Sequence, residues 1–358
     1  MSTAAPKVIR LGDVIITLLI AAAGAAALLA PFINPQTNWL YAFFALFFPW
    51  IYLLNAIAAA YWLVRILTGK TTRRWTILFP LIILVLGWFS PGRIIRHHAG
   101  RRPANNQPVI RLLTYNTHSL QEMFRDNTED DFRQFIRREH PDILFLQETN
   151  PKIARYIRAR LGYGHIVRND KFIPSTTIIS RYPILASGAA NFYKSGNGYA
   201  WADIEVRGRR LRFYSVFLQS NAISTETKHL ADESDLNSKK TWWRLRRILA
   251  LYRMTARQRA QQAREVKLHA MQSPYPVFFA GDFNDQPLAY SYRLLAENKK
   301  DSFVEAGSGT GTTYPGLGLN LRIDYVLTPP DFIILKHRIP AVPFSDHYPV
   351  VVDIAWQP

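Results

Sequence analysis

The sequence predicts an α/β protein, a layered sandwich of β-sheets and helices in which both faces of each sheet are covered, preceded by N-terminal transmembrane helices. Between Val109 and Ile354, strand-type apolar runs outnumber helical patterns. Many of these runs are apolar on both sides, as in sheets that are buried on both faces. Before Val109, three long runs contain no charged residue. The 358 residues therefore divide into an N-terminal membrane segment and one sizeable globular domain.

Three uncharged runs precede the globular domain, and they extend over Val14–Ile33, Asn38–Val64 and Trp75–Gly92. The first two reach the roughly 20 apolar residues that a helix needs to cross a bilayer, whereas the third is shorter and contains Pro80. We therefore expect residues 1–92 to form a membrane anchor with about three transmembrane helices. The first run also fits a cleaved signal peptide, because Lys7 and Arg10 precede it, but the two further runs favour the anchor.

Basic residues beside the runs bear on the orientation of this anchor. With three crossings, the N-terminus and the second loop share one side of the membrane, and together they carry Lys7, Arg10, Arg65, Lys70, Arg73 and Arg74. Basic loops stay in the cytoplasm, so this count predicts a multi-pass protein of the cell inner membrane with its C-terminal domain on the periplasmic side. Basic residues after the third run argue for the opposite orientation, which stays open. Residues 93–108 form a basic, proline-containing linker, and residues 109–358 the globular domain.

The globular domain contains strand and helix patterns in alternation. Its predicted strands are Val109–Tyr115, Asp142–Glu148, Thr176–Ser180, Tyr199–Val206, Leu211–Leu218, Pro276–Asp282, Arg322–Leu327, Phe332–His337 and Pro349–Ile354. Phe132, Phe135 and Ile136 have the spacing of one helix face, which predicts a helix over Thr128–Glu139. A second helical stretch extends over Ser238–Met271.

Polar side chains occur inside or beside five predicted strands, mostly at their ends. Strand ends are where a rigid scaffold presents side chains to a cleft. The polar residues are Asn116, Glu148, Asp282 with Asn284, Asp324, and Asp346 with His347. Hard divalent cations prefer carboxylate and amide oxygens, and a histidine that a carboxylate orients can exchange protons near neutral pH. Any one of these residues alone is more often a turn former, a helix cap or a surface group. Together they predict a metal-assisted catalytic site.

Seven short motifs occur along the domain in the order TYN, QE, SRYPI, VFLQS, GDFND, RIDYVL and SDH. The set resembles the endonuclease/exonuclease/phosphatase family over roughly Val109 to Ile354. That family includes type I deoxyribonucleases, apurinic endonucleases, neutral sphingomyelinases and inositol polyphosphate 5-phosphatases. The resemblance implies a four-layer sandwich of two β-sheets flanked by helices. It also implies hydrolysis of a phosphate ester with a divalent metal, Mg²⁺ or alternatively Mn²⁺.

The resemblance implies a metal-site role for three residues. Glu148 is similar to the principal metal ligand of the family, and Asn116 is similar to the residue beside that ligand. Asp346 resembles a further carboxylate that belongs to the metal site or supports the neighbouring histidine. A metal in this position neutralises charge on a phosphate ester, which otherwise repels a nucleophile.

Catalytic roles are implied for four more residues. Asp282 is similar to the residue that positions or deprotonates the attacking water, and Asn284 is similar to its partner, which holds the phosphate or the water. His347 resembles the residue that contacts the scissile phosphate or acts in acid–base catalysis. Asp324 resembles the carboxylate that orients this histidine.

One position departs from the family pattern. Family members commonly have VHLQS, with a histidine that donates a hydrogen bond to the phosphate, where this chain has Phe217. Gln219, Ser220 or Asn221 offers another donor.

From the whole set of motifs we predict a Mg-dependent phosphoric ester hydrolase that acts on nucleic acid or on a phospholipid or inositol phosphate. The alternative is a catalytically weakened, membrane-tethered binding module that kept the fold, and the oligomeric state stays open.

The composition favours an anionic partner. The chain has 44 Lys and Arg against 26 Asp and Glu, a formal net charge of +18, and no cysteine, which excludes disulfides and thiolate metal sites. Positive-inside loops and a solvated helix explain this charge equally well. In the stretch Lys239–Arg264, basic residues alternate with aromatic ones. We expect its end, Arg259–Val266, to pack on the sandwich with solvated charges, and its Trp- and Arg-rich start to dock on a bilayer surface.

Overall fold

The structure is a computed structural model, and it describes residues 11–71, 73–90, 92, 95–104, 107–149, 151–168, 175–193, 195–220, 239–316 and 320–357. Four residues used in the sequence predictions lie outside the described residues: Lys7, Arg10, Asn221 and Ser238. Parts of the predicted linker also lie outside them. The chain forms two compact units, the first comprising Met1–Ile94 with Pro287–Tyr290 and the second comprising Ile95–Gln286 with Ser291–Pro358.

The first unit consists of apolar helices. Helix α1 covers Leu11–Leu29 and continues as a 3-10 turn over Ala30–Phe32, α2 covers Leu40–Leu46, α3 covers Phe48–Leu67, and α4 covers Leu78–Phe89 after a 3-10 turn at Arg74–Ile77. Among the described residues, Leu11–Phe32 and Phe48–Leu67 are long and apolar enough to cross a membrane. A signal sequence would meet the same criterion as the first of these.

Prolines explain where the second and third apolar runs depart from single helices. Pro49 lies in the first turn of α3, where a residue needs no N–H group because the N–H groups of the first turn have no partner within the helix. The second predicted run is therefore two helices, α2 and α3, which meet at Phe47. Ser90 precedes a proline in the sequence, has extended backbone and ends α4 after 12 residues. At about 1.5 Å per residue, α4 alone is shorter than the hydrocarbon core. Helix α4 alone therefore does not span the core, and the third crossing stays a prediction.

Two six-stranded sheets form the second unit. The first sheet has the order β11-β12-β1-β2-β4-β3 and contains β1 (Ile110–Asn116), β2 (Ile143–Thr149), β3 (His165–Arg168), β4 (Ser175–Ser180), β11 (Phe332–Arg338) and β12 (Val350–Trp356). The second has the order β5-β6-β7-β8-β10-β9 and contains β5 (Ile184–Asn191), β6 (Gly198–Val206), β7 (Arg209–Phe217), β8 (Val277–Asp282), β9 (Lys300–Asp301) and β10 (Asp324–Thr328). The pairs β1–β2 and β7–β8 are parallel, and the other neighbours are antiparallel.

Within the described part of the second unit, six helices accompany these sheets. They are α5 (Gln121–Asp126), α6 (Glu129–Glu139), α7 (Pro151–Leu161), α8 (Lys239–Ala270), α9 (Tyr290–Ala296) and α10 (Ser302–Ala306). Alternate residues of the inner strands pack between the two sheets. The intervening residues pack against α5, α6 and α7 on the first sheet, and against α8 and α9 on the second. The order helix, sheet, sheet, helix confirms the predicted four-layer α/β sandwich.

Helix α6 shows how local sequence determines one of these layers. Three acidic residues in its first turn and two arginines in its last turn complement the helix dipole. Phe132, Phe135 and Ile136 lie on one face and are buried against the first sheet. The predicted helix over Thr128–Glu139 is therefore confirmed, with Thr128 as its N-cap position.

Two edge strands, β3 and β5, have no clear sequence signal. The first has only four residues, and the second contains Ala186, Ser187, Gly188 and Ala189, whose small side chains lack the alternation typical of a strand. The nine predicted strands are all present with shifts of a few residues at their ends. Strand β10 begins at Asp324, so this residue stands at the start of its strand and not inside it.

A glycine lets the second sheet close at its centre. Gly281 in β8 has a φ of 140°, and a Cβ atom there would collide with the carbonyl oxygen of Val216 in β7. Any larger residue would push β8 away from β7, and with it the strand end that carries Asp282. The glycine of the GDFND motif is thus required by packing.

Candidate active site

The candidate site lies at one end of the gap between the two sheets. Along β1, alternate residues from Ile110 onward face the other sheet, and Asn116 continues their parity at the strand end. Along β8, alternate residues from Phe278 onward also face the gap, and Asp282 continues their parity. Asp324 begins β10 directly opposite Asp282 in the antiparallel register. Strand ends from both sheets therefore present polar groups to one space.

Glu148 reaches this space through an irregularity in β2. Leu146 packs against the helices, so regular alternation would turn Glu148 the same way. Instead, the β2–β4 register shifts between Leu146 and Thr149, and Glu148 has left-handed backbone with a φ of 52°. Asn116 Nδ2 donates hydrogen bonds to Glu148 Oε1 and to Asp282 Oδ2, each 3.0 Å long. One amide group thus joins carboxylates from both sheets.

Asp282 is buried, and Asn284 holds it from its own chain. The Asn284 N–H group donates to Asp282 Oδ1 at 2.8 Å, and Asn284 Nδ2 donates to Asp282 Oδ2 at 3.0 Å. Burial raises the pKa of Asp282 and the charge of Asp324 raises it further, whereas His347 and the asparagine hydrogen bonds act in the opposite direction. The net direction is upward. A carboxylate with a raised pKa is suited to accept a proton near neutral pH.

His347 lies between the two aspartates of the second sheet, Asp282 and Asp324. Its Nε2 is 3.9 Å from Asp282 Oδ2, and its Nδ1 is 2.9 Å from Asp324 Oδ2. Burial lowers the pKa of His347, but Asp324, then Asp282 and Asp346, outweigh burial and raise it to about 10. Thr313 Oγ1 accepts a hydrogen bond from the N–H group of Asp324, which fixes the start of β10. The ring is therefore an oriented imidazolium near neutral pH.

Two groups of side chains offer ligands for a cation, and they share Asp282. Ligand atoms of Asp282, Asp324 and His347 all lie within 4.8 Å of one another. A protonated imidazole does not bind a metal, and His347 Nδ1 is already engaged by Asp324. The carboxylates of Glu148 and Asp282, with Asn116 between them, fit a hard divalent cation better. Asn116 turns its Nδ2 to these carboxylates, and its Oδ1 accepts a hydrogen bond from the N–H group of His118 at 3.1 Å. This group contains the predicted ligands Asn116 and Glu148, and it adds Asp282.

Asp346, the third predicted metal ligand, lies at the rim. Its side chain is 43% exposed, and its Oδ1 is 3.6 Å from His118 Nδ1. Ser345 Oγ donates to the carbonyl oxygen of Asn116, which ties this loop to β1. The metal-binding role of Asp346 stays a prediction.

Sequence reasoning missed His118, which also contacts Glu122 at 3.2 Å, although it follows Asn116 by only two positions.

Tyr314 is a second residue that sequence reasoning missed. Its ring packs against His347 with the ring centroids 4.9 Å apart. Burial raises the pKa of the Tyr314 hydroxyl, and the charges of the site carboxylates raise it further. The residue lies in a loop rich in glycine and threonine, which has the pattern of an ordinary turn. Only the packing against the histidine marks it as part of the site.

Phe217 points into the site from the second sheet. It ends β7 beside Asp282 in the parallel register. Ser215, two residues earlier, contacts the first sheet, so Phe217 faces the same gap, and it is 6% exposed. An apolar ring thus stands where the resembled family has a hydrogen-bond donor. Gln219 Oε1 accepts a hydrogen bond from Ser195 Oγ at 3.0 Å, which holds this proposed substitute donor in the loop after β7.

Two family models match the chain. One, described as the endonuclease/exonuclease/phosphatase family, matches residues 113–347, more than half of the chain. The other, described as a domain of unknown function, matches residues 7–94. A comparison with curated proteins gave no match.

Several solved structures are similar to the chain. A humanized D. rerio TDP2 with 14 mutations has a TM-score of 0.52 at 17% identity, over 69% of this chain and 98% of that one. An endonuclease/exonuclease/phosphatase family protein from Bacteroides thetaiotaomicron has a TM-score of 0.52 at 15% identity, over 71% and 100%. D. rerio TDP2 complexed with single strand DNA product has a TM-score of 0.50 at 16% identity, over 69% and 98%. At these identities the likeness establishes the fold.

The contact between Asp324 and His347 predicts a pH dependence. With Asp324→Asn, we expect the pKa of His347 to fall toward or below its ordinary value of about 6.5. Burial lowers this pKa, and the substitution removes the carboxylate that raises it most. A raised histidine pKa adds stability that is fully present below about 6.5 and is lost as the pH rises toward about 10. The difference in unfolding free energy between the wild type and the variant should therefore shrink over this range.

Histidine-ring NMR titration and chemical denaturation at several pH values, both in metal-free buffer, measure these two quantities. Asp331→Asn, at an exposed turn, is the matched control and should leave both unchanged. An unaltered His347 pKa in the Asp324→Asn protein would show that the pair does not control the ring.

Proposed function

This chain belongs to the endonuclease/exonuclease/phosphatase family, and from that premise we propose that its second unit is a divalent-metal-dependent hydrolase of phosphate esters. The observation that carries this proposal is that Asp282 lies close to two chemically different groups. Asn116 joins it to Glu148 by hydrogen bonds, and His347 Nε2 lies 3.9 Å from its Oδ2. Such a site can hold an anionic phosphate next to an activated water.

The oxygen-bearing side chains serve metal binding and water activation. Glu148 and Asn116, with Asp346 at the rim, would hold Mg²⁺ or Mn²⁺, which when bound withdraws charge from the phosphate ester. Asp282, whose pKa is raised, accepts a proton from the attacking water. Asn284 keeps both oxygens of Asp282 in place during this transfer.

His347, oriented by Asp324, binds the phosphate. His347, held as an imidazolium, donates from Nε2 to a phosphate oxygen and stabilises the negative charge that develops in the transition state. Asp324 fixes the ring through Nδ1, and the packing of Tyr314 restricts its rotation. This arrangement is ready before substrate binds, so little reorganisation is needed during the reaction.

Two substrate classes fit the proposal. The similar D. rerio TDP2 is complexed with single strand DNA product, which supports a nucleic acid. A tether in the membrane would keep the enzyme beside phospholipid or inositol phosphate headgroups, which supports a lipid substrate. Parallel assays on plasmid DNA, sphingomyelin and phosphoinositides distinguish these classes, because the phosphate ester of each substrate has a different leaving group.

The proposed roles predict separable effects on metal binding and on rate. In the purified full-length protein, a chelator should abolish hydrolysis and added Mg²⁺ should restore it. Glu148→Gln should weaken Mg²⁺ binding in calorimetry and remove activity. His347→Gln should leave Mg²⁺ affinity nearly unchanged while kcat falls by roughly 100- to 10,000-fold, the usual contribution of one acid–base group.

Asp331→Asn, which removes an exposed carboxylate from the turn between β10 and β11, should behave as the wild type. Loss of Mg²⁺ affinity in the His347 variant but not in the Glu148 variant would place the cation in the Asp282, Asp324 and His347 group instead. Full activity in both variants would refute the assignment.

Phe217 supports the second candidate function, a catalytically weakened binding module tethered to the membrane. Phe217→His restores a donor beside Asp282. In an active enzyme we expect a rate gain of up to about 10- to 100-fold, as for one hydrogen bond to a charged group. Phe217→Leu, which adds no donor, is the control. A wild type without turnover or Mg²⁺ affinity, with activity appearing only in Phe217→His, would favour the binding module.

We further propose that residues 1–92 are the membrane anchor. In the most apolar windows of Leu11–Phe32 and Phe48–Leu67, only 39% and 22% of the residues are buried, unlike core helices of a soluble protein. Polar groups face inward instead, since Trp62 Nε1 donates to Thr17 Oγ1 at 2.8 Å. This contact joins α1 to α3, which favours a retained helix over a cleaved signal.

The charge pattern supports a multi-pass inner-membrane protein with its second unit on the periplasmic side, provided that the 3-10 turn and α4 at Arg74–Phe89 cross as a third segment. Alkaline phosphatase fused to the C-terminus should then be active, and a green fluorescent protein fusion should be dark. The reverse pattern would place the second unit in the cytoplasm.

A further inference from the structure

The first three turns of α8 differ from the rest of this helix. From Tyr252 onward, α8 buries one face, and its buried residues recur at helical spacing as Tyr252, Ala256, Arg259, Ala263 and Val266. From Trp242 to Leu251, no residue is buried. We call these ten residues, Trp242–Leu251, the docking segment.

The docking segment is both apolar and cationic. It contains two tryptophans, three arginines and four Leu or Ile residues, and no acidic residue occurs anywhere from Lys239 to Arg264. Trp242 is 56% exposed, Trp243 is 58% exposed and Leu249 is 36% exposed. An exposed apolar patch of this kind marks an interaction surface, and the exposed Arg246 within it favours an anionic partner.

Helical geometry arranges these side chains in a stripe. At 100° per residue, Trp242, Leu245 and Leu249 fall on one side of the helix together with Ile248. Arginines flank the stripe, with Arg246 next to its Trp242 edge and Arg244 next to its Ile248 edge. The same angles place Trp243 beyond Arg246, with its ring beneath the guanidinium of Arg247 at 5.4 Å. A narrow apolar stripe edged by arginines and tryptophans is typical of helices that lie in a membrane interface.

The aliphatic residues distinguish a lipid surface from a nucleic acid. Phosphates of either partner would engage the arginines, and tryptophan rings can stack on bases. Leu249 and the half-buried Leu245 and Ile248 gain nothing from a sugar-phosphate backbone, whereas the acyl boundary of a bilayer removes their remaining exposed surface from water. An anionic bilayer is thus the partner that uses every residue type of the segment.

We propose that the docking segment lies on the surface of an anionic phospholipid bilayer, with its stripe buried at the acyl boundary and its arginines among the headgroups. The proposal rests on α8 alone and holds whether or not the site hydrolyses phosphate esters. Docking would give the second unit a lipid contact that does not depend on the apolar helices of the first. It would also assign separate roles to the two parts of α8, since its later turns pack on the second sheet.

Single-cysteine labelling of the full-length protein tests this docking directly, because the chain has no cysteine of its own. Leu249→Cys carries an environment-sensitive fluorophore in the docking segment. Leu268→Cys, which lies on the same helix and is 57% exposed, is the matched control. Both proteins are placed in nanodiscs of phosphatidylcholine, with or without phosphatidylglycerol, and quenching by aqueous iodide is measured.

With phosphatidylglycerol, we expect the label at position 249 to shift to shorter wavelength and to lose iodide quenching, while the label at position 268 stays quenched. Adding Arg244→Gln, Arg246→Gln and Arg247→Gln together, or raising the salt concentration, should abolish both changes. Circular dichroism checks that the variants remain folded.

Three results would overturn the proposal. Full iodide quenching at position 249 in both lipids would show a surface that contacts no bilayer. Protection in both lipids, including after the arginine substitutions, would show that protein covers the stripe. A wavelength shift with a single-stranded oligonucleotide but not with phosphatidylglycerol would make the segment a nucleic-acid surface.

Discussion

Asp282 Oδ2 accepts hydrogen bonds from Asn116 of the first sheet and from Asn284 of its own loop, and it lies 3.9 Å from His347 Nε2. A buried carboxylate without such partners is strongly unfavourable, and removing one partner of a buried charge typically costs about 3–5 kcal/mol. The two sheets must therefore close at this point for the charge to be tolerated. The absence of a side chain at Gly281 permits that closure, and the candidate site is the local result of it.

Buried ion pairs hold the walls around this carboxylate. Arg259 in α8 is fully buried, its Nε lies 3.0 Å from Asp285 Oδ2, and its Nη1 donates to the carbonyl oxygen of Gln219. Asp285 directly follows Asn284, so a residue of the basic helix supports the loop that holds Asp282. The prediction that this end of α8 packs on the sandwich is confirmed, but the charge of Arg259 is buried in an ion pair and is not solvated.

The net charge of +18 thus has more than one structural origin. Some arginines are interior partners of carboxylates, as in the buried pairs Arg212–Asp203 and Arg322–Asp301. Others, such as Arg246, are exposed and stand beside apolar residues. Total charge alone therefore does not identify the anionic partner, because interior arginines are neutralised by their partners and only the exposed ones act on molecules outside the chain.

The sequence by itself determined the strands that carry the site, since β1, β2 and β8 are apolar runs that end in polar residues, and such runs form buried strands wherever they occur. It also named the candidate site residues Asn116, Glu148, Asp282, Asn284, Asp324, Asp346 and His347, because their motifs are local. Tertiary structure decided the rest. The bulge that turns Glu148 inward, the packing of Tyr314 on His347, and the placement of His118 beside Asp346 depend on how separate strands and loops meet. A sequence pattern reports the neighbours of a residue along the chain, whereas these contacts join residues that only the stacking of two sheets brings together.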